Sequence, residues 1–414
     1  MGKKRTVLVG QSGGPTAAIN ASLAGVIACA REAGAHTLGM RYGIEGLLEG
    51  RTVDLDAAAP DAKALELLAL TPASYLGSCR YKLPDYQEDE APYEKLFALF
   101  DELSVDAVLY IGGNDSMDTI SKLSAYGAEK ESPIRFVGVP KTIDNDLMAT
   151  DHTPGYGSAA KFIATAVGEI ARDASVYDLK SVEIIEIMGR NAGWLAAAAA
   201  LASSPELPCP DLVLLPEVPQ TEERIVERVA SLLEHKNTVV IAASEGVRDA
   251  SGKLLCEAGG AKAAKDAFGH EAALSGTCRY LAGVLKRELH VKTRGTELST
   301  LQRAAAHCAS ATDLAEAKSL GAAAVRAAFA GSTGIMCTIE RVSSLPYQTK
   351  IGTVAIADVA NEERTVPASM IAADGMHVTD AYLRYARPLI AGEPHPLYVD
   401  GMPLRLPALD AASC

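Results

Sequence analysis

Between Val139 and Asp146 (VPKTIDND) the chain ends an apolar run at Pro140 and at once places a lysine, a threonine and two aspartates. A cation, a hydroxyl and two carboxylates then share one short turn. Such groups can take a proton from a hydroxyl and hold a migrating anion. A second unusual turn, Ile111–Ser116 (IGGNDS), lies just upstream and carries Asn114 and Asp115. Each turn follows a strand-like run, so both can open at the carboxyl edge of one parallel sheet, where open α/β sheets bind ligands. The pattern is that of two turns facing each other across a site for phosphoryl transfer. Taken alone, the aspartates of VPKTIDND are better explained by an Asx-type turn.

The elements that must position these turns alternate. Arg5–Gly10 is a short strand, followed by Gly13, Gly14, Pro15 and a small-residue helix from about Ala17 to Ala33. Strand, glycine turn and helix aim backbone N–H groups at an anion, but the segment matches neither common nucleotide-binding glycine motif and also reads as a plain tight turn. Asp106–Ile111, Ile134–Val139, Val182–Ile187, Asp211–Leu215 and Thr238–Ala243 read as strands, with helices over Glu94–Leu103, Met117–Tyr126, Ala159–Asp173 and Thr221–His235. Alternation of this kind implies right-handed βαβ units and a mostly parallel sheet. Lys292–Arg303 reads as one strand-like run, Asp313–Phe329 as an alanine-rich helix, Ile335–Glu340 and Thr353–Asp358 as a hairpin or edge addition, and Thr379–Ile390 as a helix. Lys253–His270 fits no single element. The loop Ser74–Pro84 carries Arg80 and Lys82, solvated cations unless the loop borders the cleft.

Composition narrows the class. With 48% apolar and 22% charged residues over 414 positions, the chain is globular and long enough for two or three domains. A net charge of −13, from 39 basic and 52 acidic side chains, argues against a broad nucleic-acid surface. Local arginines and helix N-termini can still hold phosphates. The eight cysteines are scattered without a C-x-x-C pair, so buried free thiols in a reducing cytosol are expected. No apolar run reaches the ~18 residues of a membrane span. The opening MGKKRT fits a myristoylation pattern formally, but Thr6–Val9 already begins a strand.

The series SGGP, LGSCR, GGNDS, PKTIDND, MGR, SEG and LQR, in this order over most of residues 5–330, resembles the phosphofructokinase family. GGNDS together with PKTIDND resembles its pyrophosphate-using branch. The resemblance implies an α/β fold of two Rossmann-like three-layer lobes with mostly parallel sheets and the active site in the cleft between them. The donor lobe would take residues 1–150 plus about 305–365, and the sugar-phosphate lobe 151–304 plus about 366–414.

The activity implied is reversible transfer of phosphate from pyrophosphate to the 1-hydroxyl of fructose 6-phosphate, with Mg²⁺, by a cytoplasmic homo-oligomer, dimer or tetramer, that needs neither nucleic acid nor membrane. By the same resemblance Asp144 is the base, Asp146 orients its loop, and Lys141 stabilises the transferred group. Asp115 stands where ATP-using relatives carry a glycine, and would exclude an α-phosphate by bulk and charge; it would equally stabilise a helix N-terminus. Gly13, Gly14 and Arg80 face the donor. Thr142, Met188, Gly189, Arg190 and Glu245 surround the sugar, and Thr300, Gln302 and Arg303 clamp its 6-phosphate. Asn114 replaces an aspartate that many relatives tie to magnesium, leaving an uncharged oxygen for the metal. A family arginine before the MGR motif is missing, with Ser181 in its place beside Lys180. His307 faces the same pocket or is a structural histidine. An ATP-dependent sugar kinase and a non-catalytic sugar-phosphate-binding regulatory subunit are the rival readings.

Overall fold

Runs such as TVLVGQ and AVLYIG are short, rich in aliphatic residues and buried at every position, the pattern of strands covered on both faces by helices. The computed structural model describes residues 4–258, 276–359 and 362–409. Its strands are β1 (Thr6–Gln11), β2 (His36–Met40), β3 (Thr52–Asp54), β4 (Ala107–Gly112), β5 (Arg135–Pro140), β6 (Ser181–Ile187), β7 (Leu212–Leu214), β8 (Thr238–Ser244), β9 (Lys292–Glu297), β10 (Ile335–Ser344), β11 (Tyr347–Ala355), β12 (Tyr398–Val399) and β13 (Met402–Pro403). One sheet has the order β11-β10-β5-β4-β1-β2-β3; another, wholly parallel, has the order β7-β8-β6-β9; β12 and β13 pair in the tail. In the first sheet only β3 and β11 run antiparallel to their neighbours.

Alternation along each strand sets the layers. Val7 and Val9 of β1 pack with Ile19 and Leu23 on one face, while Leu8 packs with Met117 and Ile120 on the other. In β6, Ile185 and Ile187 join one core and Val182 and Ile184 the opposite one. The chain leaves β1 for β2 on one side and returns to β4 on the other. That reversal opens a crevice beyond the carboxyl ends of β1 and β4, where Gly13–Gly14 and Gly113–Asp115 lie.

The helix Ala311–Phe329 is far along the chain yet packs on the helix Ile19–Glu32 of the first lobe. Two glycines make the contact close. A Cβ on Gly25 would lie 2.0 Å from the Lys318 carbonyl oxygen, and one on Gly321 would lie 2.0 Å from that of Ser22. This packing, with β10 beside β5, draws the segment after residue 310 back to the first sheet.

Three segments depart from the sequence reading. The run Lys292–Arg303 splits: β9 stops at Glu297, Ser299 takes a positive φ of 44°, and a short helix Leu301–Ala304 follows. The expected helix Thr379–Ile390 is helical only over Asp380–Ala386, and a 3₁₀ turn Arg387–Ile390 replaces its end at Pro388, which cannot donate a helical hydrogen bond. The tail, expected with the sugar-phosphate lobe, returns to the first sheet, where Leu406 joins the core and Arg405 donates to the Leu70 carbonyl. Most of the ambiguous stretch Lys253–His270 lies outside the described residues. The described cysteines are free thiols, and Cys308 alone among them is not fully buried. No helix among the described residues is long and apolar enough to cross a membrane.

Candidate active site

The carboxyl ends of the two sheets share a cavity of about 320 Å³. Its walls bring together Gly13, Gly14, Asn114, Asp115, Lys141, Thr142, Asp144, Met188 and Arg303 of the residues singled out by sequence, with Asp146 and Glu363 beside them.

Lys141 follows β5 directly and is 2% exposed, its Nζ donating to the Gly14 carbonyl at 2.7 Å. Gly13, at φ 76°, lets the donor turn pass beside that amine; a Cβ there would lie 3.4 Å from Nζ. Burial depresses the Lys141 pKa to about 8, Asp144 and Asp146 oppose the shift, and Arg303 adds to it. Arg303 was expected at the far end of the sugar. Its guanidinium instead lies close to Gly14, where an added Cβ would be 3.4 Å from Nη1. Both cations therefore flank the Gly13–Gly14 turn.

The aspartates diverge from one turn because Asn145 between them takes a left-handed conformation, φ 56°. Its side chain fastens that geometry, accepting from Thr153 N at 3.1 Å and donating to Tyr385 Oη at 2.8 Å. The Asp144 carboxylate accepts from Thr142 Oγ1 at 3.3 Å. Burial raises its pKa above the usual carboxylate range, against the pull of Thr142 and Lys141. Burial, and then repulsion by Asp144, raises Asp146 to about 7. Asn114 opens the helix Asn114–Glu129 and donates to Asp146 Oδ2 at 3.2 Å. Asp115 is exposed at the rim, in the first turn of that helix.

On the opposite wall Glu245 accepts from Gly189 N at 3.3 Å, and burial, then repulsion by Glu186 and Asp144, raises its pKa to about 7. Gly189, Arg190 and Glu245 stand behind Met188 and outside the cavity lining. Gln302 is buried, with both ends of its amide engaged: the oxygen accepts from Met188 N at 3.3 Å and the nitrogen donates to the Ser299 carbonyl at 2.9 Å. It ties the backbone at Met188 to the turn at Ser299. Thr300 is exposed and does not line the cavity, nor does exposed Arg80, though Ser78 nearby donates to the Gly13 carbonyl at 2.6 Å. His307 lines a different cavity, with Lys161 and His395. Ser181 begins β6, at the strand end opposite Met188.

The Phosphofructokinase family profile matches residues 6–328. The chain belongs to that family. Among phosphofructokinase relatives, a pyrophosphate--fructose 6-phosphate 1-phosphotransferase of Xanthomonas campestris pv. campestris (strain B100) is 44% identical over 96% of this chain and 94% of its own length. One of the same description from Methylococcus capsulatus (strain ATCC 33009 / NCIMB 11132 / Bath) is 39% identical over 96% and 94%. The crystal structure of a pyrophosphate-dependent phosphofructokinase from Nitrosospira multiformis superposes with a TM-score of 0.87 at 37% identity, covering 98% of this chain and 97% of that one.

Two features of this phosphofructokinase site escape sequence reading. Glu363 and Arg364 belong to a charged loop far along the chain, yet they reach the turn that carries Asp144. His152 is the other, fully buried between Asp151 (2.8 Å) and Glu316 (2.7 Å). Arg341 holds Asp151 in turn, and Tyr347 and Thr349 hold Glu316, so the network ties the segment after PKTIDND to the helix Ala311–Phe329 and the β10–β11 hairpin. Burial works against an imidazolium here, but the two carboxylates outweigh it and raise the His152 pKa; His152 and Arg341 likewise carry Asp151 below its usual range against burial.

Replacing His152 with leucine removes the cation that Asp151 and Glu316 share, leaving Arg341 on one and two hydroxyls on the other. It is expected to cost about 3–5 kcal/mol in urea unfolding, the penalty for removing one partner of a buried ion pair. The histidine's contribution is complete below its ordinary pKa of about 6.5 and fades as pH rises through the raised folded value. The carboxylates' contribution is complete above about 4 and fades on acidification. Stability attributable to the network should therefore plateau between those limits, and a His152→Leu enzyme as stable as the wild type at about pH 6 would refute it.

Proposed function

We infer that the enzyme transfers a phosphoryl group reversibly from pyrophosphate to the 1-hydroxyl of fructose 6-phosphate, giving fructose 1,6-bisphosphate and phosphate. The observation that carries this reading is Lys141: a buried ammonium bonded to the donor turn, on the same short loop as the raised-pKa carboxylate of Asp144. A sugar hydroxyl is a poor nucleophile at neutral pH. Asp144 accepts its proton as the new bond to phosphorus forms, with Thr142 holding the carboxylate in place. Lys141 and Arg303 collect the charge that moves with the phosphoryl group. Met188 lines the sugar side of the cavity, Gly189, Arg190 and Glu245 stand behind it, and Gln302 braces that wall; Thr300 and Arg80 lie outside the lining.

Four carboxylates, Asp115, Asp144, Asp146 and Glu363, line this cavity against two cations, Lys141 and Arg303, while both substrates are anions. A divalent cation would balance them. Asn114 Oδ1 and Asp146 Oδ1 are buried oxygens without a hydrogen-bond partner among the described residues, and hard oxygen donors of this kind fit Mg²⁺. These two residues would hold it, and the ion supplies charge neutralisation to the diphosphate. The donor lobe comprises residues 1–150 with about 305–365 and takes the tail around Leu406 onto its core, the sugar lobe comprises 151–304 with the rest of about 366–414, and the enzyme works as a homo-oligomer in the cytoplasm.

Purified protein assayed with fructose 6-phosphate, Mg²⁺ and either donor tests the reading. Turnover is expected with pyrophosphate. Turnover with ATP alone, or sugar-phosphate binding without turnover on either donor, would overturn it.

A further inference from the structure

Arg364 brings three hydrogen bonds to the turn that carries Asp144 and two more to the loop end beyond it. Its Nη1 donates to the carbonyls of Thr150 (3.0 Å) and Asp151 (2.6 Å), and its Nη2 and Nε donate to that of Asn145 at 3.0 and 3.3 Å. Its backbone N–H donates to the Asp146 carbonyl at 2.7 Å. The guanidinium thus grips the turn at Asn145, the one residue whose positive φ splays Asp144 and Asp146 apart, and at the end of the loop that follows.

The same residue is fixed from the other lobe. Its guanidinium lies 4.7 Å from the centre of the Trp194 ring, and its carbonyl accepts from Trp194 Nε1 at 2.9 Å. Trp194 heads the helix that follows the Met188–Arg190 sugar wall. Two residues on, Val366 N and Gly193 N share Glu217 Oε1 at 2.9 and 2.8 Å. Glu363 meanwhile faces the cavity and pairs with Leu147 through the backbone. The segment 363–366 is therefore a strap fastened to the base-bearing turn on one side and to the sugar wall on the other.

We propose that Arg364 is a positioning residue for phosphoryl transfer: it holds the left-handed turn that aims Asp144, and couples that turn to the sugar wall through Trp194. The proposal rests on the phosphotransfer reading above. A planar fork meeting three carbonyls is a task that arginine performs and lysine does not. A base displaced by about 1 Å costs on the order of 10²-fold in rate.

Trp194 is the only tryptophan in the chain, so its emission reports directly on the clamp. The Arg364→Gln enzyme is expected to remain folded by circular dichroism, with kcat lowered on the order of 10²-fold, KM for pyrophosphate unchanged, and Trp194 emission shifted to the red as water replaces the guanidinium. Guanidinium ion at sub-denaturing concentration should restore both kcat and emission. Wild-type turnover, measured alongside, tests the phosphotransfer reading separately, and the emission change is independent of any substrate. Wild-type kcat in the folded variant overturns the proposal, as does a fall in kcat that guanidinium leaves unrestored while it returns the emission to its native position. If Arg364→Gln does not fold, Arg364→Lys carries the same test: it keeps the charge and most of the volume but offers one nitrogen for three carbonyls. Its kcat is expected to fall similarly, and a wild-type value would again overturn the proposal.

Discussion

The Lys141→Met enzyme is expected to turn over on the order of 10²–10³ more slowly with pyrophosphate than the wild type, the usual cost of removing one donor aimed at developing charge. Methionine is close to lysine in length and suits a site that is almost wholly buried, so the loss should come without unfolding. The pH profile separates a catalytic role from a steric one. Asp144 works only when ionised, and its pKa lies above the usual carboxylate range, so wild-type activity falls as pH drops through that raised value. Lys141 works only when protonated, and burial has lowered its pKa to about 8, so activity also falls as pH rises past that point. In Lys141→Met the alkaline fall should disappear. The acid fall should move to higher pH, because the lysine's attraction no longer opposes protonation of Asp144. A variant that keeps its alkaline fall at about pH 8, or turns over near the normal rate, would assign both effects elsewhere.

The parts of this site that were legible in the sequence are those where a short stretch carries both the chemistry and its support. GGNDS and PKTIDND each follow a buried strand, and alternation of strands with helices sufficed to bring both turns to one edge. Periodicity located the long helices because their apolar faces repeat locally. What was not legible is long-range. Nothing in the loop around Glu363 and Arg364 marks it as other than solvated charge, and its meaning comes only from carbonyls more than 200 residues away that it meets in space. His152 resembles any loop histidine until Glu316, 164 residues on, closes over it. Gln302 was read as a ligand of the sugar phosphate because its neighbours belong to the family motif. Its amide is consumed by Met188 and Ser299, a contact between strand ends that motif spacing does not encode. Gly25 and Gly321 likewise reveal their purpose only as a pair.

Asp115→Gly is expected to give the enzyme measurable turnover with ATP, which the wild type should use poorly or not at all. Asp115 sits exposed at the rim of the cavity, in the first turn of the helix that opens with Asn114. A nucleotide occupying the donor turn must send its α-phosphate and nucleoside outward past that rim, and a carboxylate there meets the phosphate with both like charge and bulk. Pyrophosphate ends before reaching it. The gain should be incomplete, because the buried Lys141 side chain still occupies the cavity beside Gly14. The change also removes an acidic residue from a helix N-terminus, worth about 0.3–1 kcal/mol, and replaces aspartate, already a poor helix former, with glycine, worth about 0.3 kcal/mol more. The variant should therefore unfold at slightly lower urea while retaining most of its pyrophosphate activity. Measuring kcat/KM for both donors in one preparation distinguishes the alternatives. A rise for ATP with little change for pyrophosphate means that Asp115 discriminates between donors. If both constants simply fall together, its role is confined to the helix it begins, and discrimination must reside deeper in the cavity, at Lys141.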